Sequence, residues 1–319
     1  MWALTISDKE LELAERDEPE PGPYDVVVAV HAAGINAADL LQRQGFYPAP
    51  AGWPVDVPGM ELAGVVSAVG DRVVEPLLGR RVCAVVGGGA QATHCVVPAE
   101  HLLFLPDDVA WDQAGGFPEA FTTAYDALAT QGNLLAGERV LISGAAGGVG
   151  VAGVQIAHAL GAHVTAVTRT NEFHDALREL GADDTTTLEA VATIEPVDVV
   201  LELVGAAHLE MAQRVLSPFA RVVVIGVGSG SRVELDLLGM MRSRTTFTGS
   251  TLRSRSREEK AGVARLIGDA LLPRWTRGEL TVPLARVFDL RDGGDAYDYF
   301  AQPGKFGKVV LRMNEFASR

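Results

Sequence analysis

The alternation of apolar and polar positions changes character about a third of the way along the chain. In the first third, compact β-branched runs stand between breakers. Val26–His31 follows the Pro-rich turn Glu18–Pro23, and Glu61–Val69 and Arg81–Val86 are separated by Gly70-Asp71 and closed by Gly87-Gly88-Gly89. Short strands at this spacing predict a barrel-like or sandwich-like body. Near Ala114 the period switches. Glu119–Thr130 reads as a helix, Arg139–Ser143 as a strand, Val149–Leu160 as a helix and His163–Thr168 as a strand, and Asn171 is placed to cap a helix ending at Gly181. Strand Asp198–Val204, helix Ala207–Leu216 and strands Arg221–Ile225 and Thr245–Ser250 continue the alternation. Apolar strands separated by helices predict a parallel sheet covered on both faces. Beyond Leu252 the pattern gives one long amphipathic helix, Arg257–Trp275, and a final strand, Gly307–Arg312.

Composition narrows the class. A chain of 319 residues that is 48% hydrophobic is too long and too apolar for disorder and has room for two domains. Its two cysteines, Cys83 and Cys95, read as reduced thiols and not as a disulfide framework. The net charge of −14 repels phosphate backbones, so nucleic acid is not an expected partner. Met1–Glu10 is strand-like and acidic residues follow, unlike a secretory leader. Val140–Ala157 is uncharged and about as long as a membrane span. Its five glycines between Gly144 and Gly153 read better as a buried strand, turn and helix. A soluble, cytoplasmic protein is expected, with no membrane partner.

Ser143-Gly144-Ala145-Ala146-Gly147-Gly148-Val149-Gly150 falls between a predicted strand and a predicted helix. There a dinucleotide pyrophosphate meets backbone N–H groups at a helix N-terminus, and side chains would block it. Gly147 and Gly150 fill the second and third places of the G-x-G-x-x-G frame, while Ala145 fills the first. By itself the frame is equally that of a tightly packed steric turn, and the βαβ context favours the cofactor. Cofactor contacts are expected from Ala145, Gly147, Gly148, Val149 and Gly150. The second strand ends Val167-Thr168-Arg169-Thr170-Asn171, without the acid that holds an NAD ribose. The hydroxyls of Thr168 and Thr170 and the guanidinium of Arg169 suit a 2′-phosphate, so NADPH is the expected cofactor. The alternative for Arg169 is a solvated surface side chain.

Several segments carry a family resemblance. They are Ala33–Leu40 with Gln42–Pro48, Pro58–Val66, Pro118–Tyr125, the Ala-Ala-Gly-Gly-Val-Gly turn and Gly307–Val310. Together they resemble the zinc-independent, zeta-crystallin-like quinone oxidoreductases of the medium-chain dehydrogenase/reductase superfamily. Leu40–Tyr47, Gly87–Gln91 and Leu252-Arg253-Ser254-Arg255 most resemble the tumour-suppressor-induced branch. The resemblance implies an α/β protein. A GroES-like β-rich catalytic domain would be built from residues 1–114 and 252–319. A Rossmann domain with a doubly wound parallel sheet would be inserted at residues 115–251, with the active site between the two. It also implies cofactor contacts from Asn36, Thr123, Gly226, Val227, Thr251, Leu252 and Lys308, and a homodimer formed through the edge strand Thr245–Ser250.

The same resemblance implies no metal. The positions that hold catalytic zinc in relatives are Asn36, Met60 and Glu119 here, and a four-cysteine structural lobe is absent. His31, His94 and His101 are not at ligand spacing and read as surface or strand histidines. Without a Lewis acid, reduction of an electron-poor acceptor is the expected chemistry, transferring hydride from NADPH to a quinone. Tyr47 and Asn36 are the expected catalytic side chains, and Tyr47 is read equally as a turn residue before Pro48. Reduction of α,β-unsaturated carbonyls (alkenals, enones or enoyl thioesters) and low-turnover NADPH binding are the alternatives. Two features depart from the resembling branch: Gly147 replaces a cofactor-contacting serine, and a tyrosine near Leu188 is missing.

Overall fold

The computed structural model describes residues 1–313. These form two compact units, one from Met1–Thr122 with the chain from Leu252 onward, the other from Thr123–Thr251. The first boundary falls later than the change of pattern near Ala114. The helix Trp111–Gly116 packs on the sheet of the first unit, where His31 stacks on Trp111 with ring centroids 4.4 Å apart and Arg312 pairs with Asp112.

In the first unit β1 (Trp2–Ser7) and β2 (Glu10–Glu15) form an antiparallel hairpin. The main sheet uses β3 (Asp25–Ile35), β4 (Glu61–Val69), β5 (Arg81–Val85), β6 (His94–Pro98) and β7 (Leu103–Phe104). Its strand order is β14-β15-β3-β4-β5-β7, with β6 paired to β3. β14 (Leu284–Asp289) and β15 (Lys308–Arg312) return from the C-terminal part of the chain. Val26, Val28, Leu62, Val66, Val82 and Tyr297 share the core, so the β-branched runs of the sequence supply it. Two registers place the site: Val309 opposite Ile35, and Ala63 opposite Ala32. They bring Lys308, Asn36 and Glu61 to one end of the sheet.

The second unit is a six-stranded parallel sheet of β8 (Arg139–Ile142), β9 (His163–Thr168), β10 (Asp184–Thr187), β11 (Val197–Glu202), β12 (Leu216–Val224) and β13 (Thr246–Gly249). The order β10-β9-β8-β11-β12-β13 is that of a doubly wound dinucleotide fold, reversing direction between β8 and β11. Leu141, Val167, Val200 and Val222 lie in its core. No helix of the described residues is long and apolar enough to cross a membrane, and Val140–Ala157 resolves into β8, the glycine turn and the helix Gly148–Ala159.

Several expected boundaries moved for local reasons. The long helix breaks at Leu271 into Arg257–Ala270 and Leu272–Thr276, because Pro273 has no N–H to continue it. Asn171 is not a cap: it opens a short 3₁₀ turn with Thr170 extended before it, and the α-helix is His174–Glu179. The helix Pro118–Tyr125 continues as a wider π-turn, Asp126–Gln131. Residues 207–216 give the helix Ala206–Ala212 and a 3₁₀ turn before β12. The polar, Thr-rich β10, the short β7, β14 and the helices Leu237–Ser243 and Gly293–Ala301 lacked a clear apolar period and were not expected.

Candidate active site and cofactor site

Each unit carries its own cluster of buried polar groups. In the first unit Asn36 precedes the helix Ala37–Arg43, and the Asp39 carboxylate accepts its backbone N–H at 2.8 Å and that of Gly59 at 3.1 Å. The Asn36 amide is held from both ends. Its Nδ2 donates to Glu61 Oε1 at 2.9 Å, and Lys308 Nζ donates to its Oδ1 at 2.6 Å. Lys308 also pairs with Glu61 Oε1 at 2.6 Å, and Glu61 Oε2 accepts the Glu119 N–H at 2.9 Å. Glu61 and Asp39 are fully buried and Lys308 nearly so. Only glycine fits at position 34, where a Cβ would stand 2.1 Å from Glu61 Oε1. Burial pushes the Asp39 carboxyl up to about 6, against the two N–H bonds and the charges of Arg253 and Lys308.

Tyr47 lies with a different group. The buried Arg253 donates to Tyr47 O at 3.0 Å, Gly87 O at 2.8 Å and Gln42 Oε1 at 2.5 Å, with its guanidinium 5.1 Å from the Tyr47 ring centroid. The structure therefore gathers Asn36 with Lys308, and Tyr47 with Arg253 next to Leu252. A buried arginine holding three segments was not expected from the sequence. Its signal was the Leu252–Arg255 segment that carried the resemblance.

The residues at the zinc positions do not fit that metal. The Asn36 amide is engaged at both ends and Met60 offers only a buried thioether, which leaves Glu119 as the one residue of the three with a usual zinc-ligand group. Among the described residues no three His, Cys, Asp or Glu side chains converge. The expected histidine roles need one correction. His101 belongs to neither surface nor strand, being buried in a 3₁₀ turn with Nε2 bonded to Arg257 O at 2.9 Å.

In the second unit the glycine turn ends β8 and opens the helix Gly148–Ala159, capped by Gly147 without a side-chain hydrogen bond. The first intrahelical bond from this cap is Val151 N–H to Gly147 O, so the N–H groups of Gly148, Val149 and Gly150 face outward from the first turn. A Cβ at position 150 would stand 2.4 Å from Gly144 O, so the turn closes only on glycine. This cradle fits a pyrophosphate. Ala145 is fully buried and donates its N–H to Val167 O at 3.0 Å, which ties the turn to β9. At the end of β9, Thr168 Oγ1 donates to Thr170 O at 2.8 Å and lies 2.9 Å from His174 Nε2. The single hydroxyl proton is thus spent on Thr170, and the imidazole N–H donates to Thr168. Arg169 is exposed, and no acid stands between Thr168 and Asn171. Gly226 and exposed Val227 follow β12, Thr123 is buried in the helix Pro118–Tyr125, and Thr251 is exposed at the end of the unit.

Beneath the turn lies a network the sequence did not announce. Glu202 Oε1 accepts Ser143 Oγ at 2.9 Å and the N–H groups of Val204 and Gly205 at 2.8 and 2.7 Å. Glu202 Oε2 lies 2.5 Å from His208 Nδ1, and Ser143 Oγ in turn accepts the Leu203 N–H at 2.7 Å. All three side chains are buried. They join the ends of β8 and β11, the strands flanking the reversal in sheet order. A lone acid ending an apolar strand, Val199-Val200-Leu201-Glu202, was the available signal.

Comparison with known proteins agrees with both units. The pattern described as "Alcohol dehydrogenase GroES-like domain" matches residues 22–107, and "Zinc-binding dehydrogenase" matches residues 148–268. The chain is 34% identical over 297 residues to the polyketide synthase GfsB of Streptomyces halstedii, covering 90% of this chain and 5% of that protein. It therefore spans a small fraction of that much longer relative. It is 34% identical over 316 residues to the synaptic vesicle membrane protein VAT-1 homolog of Rattus norvegicus, covering 92% of this chain and 78% of that one. Among solved structures, the quinone oxidoreductase of Thermus thermophilus, also determined in complex with NADPH, superimposes with a TM-score of 0.86 at 33% identity. That match covers 98% of this chain and 100% of the other. A GroES-like unit, a doubly wound parallel-sheet unit and relatives matched along most of their length lead to one conclusion: the chain belongs to the medium-chain dehydrogenase/reductase superfamily.

Proposed function

We propose that this oxidoreductase is a zinc-independent NADPH:quinone oxidoreductase of the zeta-crystallin-like group. The observation that carries the reading is that Asn36, which stands at a metal-donor position of relatives, is bonded at both ends of its amide by Lys308 and Glu61. An acceptor that must be polarised by a metal finds no ligand set there. A quinone, which gains aromaticity on reduction, needs only position and hydrogen-bond donors. The similarity to the Thermus quinone oxidoreductase supports the same reading. NADPH, when bound, supplies the hydride. The N–H groups of Gly148, Val149 and Gly150 bind its pyrophosphate, and Arg169 with the Thr170 hydroxyl meets its 2′-phosphate, while Thr168 holds the strand end beside them. Asn36, fixed by Lys308 and Glu61, orients the nicotinamide amide. The Tyr47 hydroxyl donates to the acceptor oxygen as negative charge grows on it. Pairing of two copies through β13, which is bonded on one side to β12, belongs to this proposal, as does a cytoplasmic setting.

A second reading is reduction of α,β-unsaturated carbonyls, which the similarity to polyketide synthases favours. Turnover of NADPH and NADH with 1,4-benzoquinone, 9,10-phenanthrenequinone and a 2-alkenal separates the two. The expected result is quinone reduction with NADPH, and a fall of about ten- to a hundredfold in turnover in Tyr47→Phe. Alkenal reduction without quinone reduction would replace the first reading by the second. Tight NADPH binding without oxidation by any acceptor would overturn both.

A further inference from the structure

The Gly87–Gly89 turn has no part in the reading above. Its Gly88 and Gly89, with Trp53, Pro54, Cys95 and Lys260, line a cavity of about 740 Å³ that lies entirely within the first unit. That volume falls in the range that encloses a small organic ligand. One wall is flat and apolar. Gly87 lies against the indole of Trp53, where a Cβ would stand 2.6 Å from ring atoms, so the bare backbone lets the ring lie along the turn.

Lys260 supplies the charge. It is half-buried on the first turn of the helix Arg257–Ala270, its Nζ donates to Arg253 O at 2.8 Å, and it stands 6.0 Å from the Trp53 ring centroid. An ammonium carries three donors, so the carbonyl leaves two to place. Among the described residues no carboxylate comes within ion-pair distance of it, in a chain with 41 acids against 27 bases. Its neighbour on the same turn differs: Arg257 is taken up by Asp25 at 2.8 Å and by Glu100. Burial, helped by the charge of Arg253, presses the Lys260 ammonium toward its neutral form, so an incoming anion would relieve it.

We infer that this cavity is a second small-molecule site, for an aromatic monocarboxylate whose ring lies on Trp53 and whose carboxylate pairs with Lys260. An aromatic face and an unmatched cation on one lining recognise that combination of a flat apolar body and one negative charge. Glu20 on the same lining disfavours a second negative charge. The site rests on no step of the proposed reduction.

The test is calorimetric titration of the full chain with 2-naphthoate and with its neutral counterpart 2-naphthamide, at low ionic strength and without cofactor. The wild type is expected to bind the acid about tenfold more tightly than the amide. Lys260→Met removes that preference, Lys260→Arg keeps most of it, and Trp53→Leu weakens both ligands alike. Equal affinity for acid and amide in the wild type, or acid binding untouched by Lys260→Met, overturns the assignment. So does acid binding lost in Asn36→Ala and kept in Lys260→Met, which would place the ligand at the other cluster. If Lys260→Met does not fold, the acid-to-amide ratio in the wild type and in Lys260→Arg decides. NADPH oxidation is not read, so this result and that of the turnover assay stand apart.

Discussion

Glu61 and Glu202 are both fully buried carboxylates at the ends of strands, one in each unit, and they are stabilised in opposite ways. Around Glu61 the partners are side chains from distant segments: the Lys308 ammonium, the Asn36 amide and one backbone N–H, with a second buried acid, Asp39, close by. Around Glu202 most partners are local. Two N–H groups come from the next three residues and an imidazole from six residues on, with only Ser143 from another strand. The first arrangement depends on one lysine, and the second spreads its bonds over a hydroxyl, two backbone N–H groups and an imidazole. Removing a single partner should therefore cost far more in the first unit.

Lys308→Met is the sharpest way to break this contrast. It keeps the length of the side chain and removes the only ammonium facing Glu61 among the described residues. An uncompensated buried carboxylate should lower stability by about 3–5 kcal/mol, read by chemical denaturation. A loss below about 1 kcal/mol would mean that water or rearrangement replaces the lysine, and the contrast would fall.

Asp39 sharpens it through pH. Its carboxyl titrates near 6 in the folded chain because burial disfavours the charge, against about 3.9 when unfolded. Between these values the folded state holds a proton that the unfolded state has released. The contribution is therefore present below about pH 4 and is lost as pH rises through 6, by up to about 3 kcal/mol. Burial acts oppositely on His31, His94 and His101, whose lowered values add stability as pH rises. Subtraction isolates the aspartate: the stability of the wild type minus that of Asp39→Asn should decrease from pH 4 to pH 7. A flat difference would remove Asp39 as the titrating group.

Glu202→Gln tests the other side of the comparison. The amide oxygen can still accept from Ser143 and the two N–H groups, and only the contact with His208 is broken. The expected cost is about 1–3 kcal/mol by denaturation, smaller than that of Lys308→Met. A larger loss here than for Lys308→Met would invert the argument.

How much of this could be read in advance follows the same division. The strands of the dinucleotide unit and its glycine turn were legible because they are local: an apolar run, a run of glycines and a helix period lie within Arg139–Leu160. Asn36 and Lys308 were named as site residues through resemblance, and the chain then brought them to 2.6 Å from each other across 272 positions. Glu61, Glu202, His208 and Arg253 were missed as site-forming groups. Each is one polar residue in an ordinary segment, and its meaning lies in partners that only strand register supplies. The polar β10 was missed for a different reason: an edge strand of Asp184-Thr185-Thr186-Thr187 buries too little to show an apolar period.

The smallest expected effect belongs to a residue outside both buried clusters. Arg169 is exposed at the end of β9, beside the Thr168 hydroxyl that His174 and Thr170 hold in place. In the wild type its guanidinium has no carboxylate to neutralise within the described segment Thr168–Asn171, which leaves it available to a 2′-phosphate. An exposed charge contributes little to folding, so Arg169→Ala should leave stability within about 0.5 kcal/mol of wild type. Its effect should appear only against the phosphorylated cofactor. A charge-assisted bond to phosphate lost at a solvent-facing site should weaken NADPH by about tenfold, near 1.4 kcal/mol, and leave NADH unchanged. Calorimetric titration with both cofactors measures this directly. Equal weakening of NADPH and NADH would show Arg169 acting through the pyrophosphate or the turn. No weakening of either would return it to the solvated surface side chain that was the alternative reading of the sequence, and a preference for NADPH would then have to rest on the Thr170 hydroxyl.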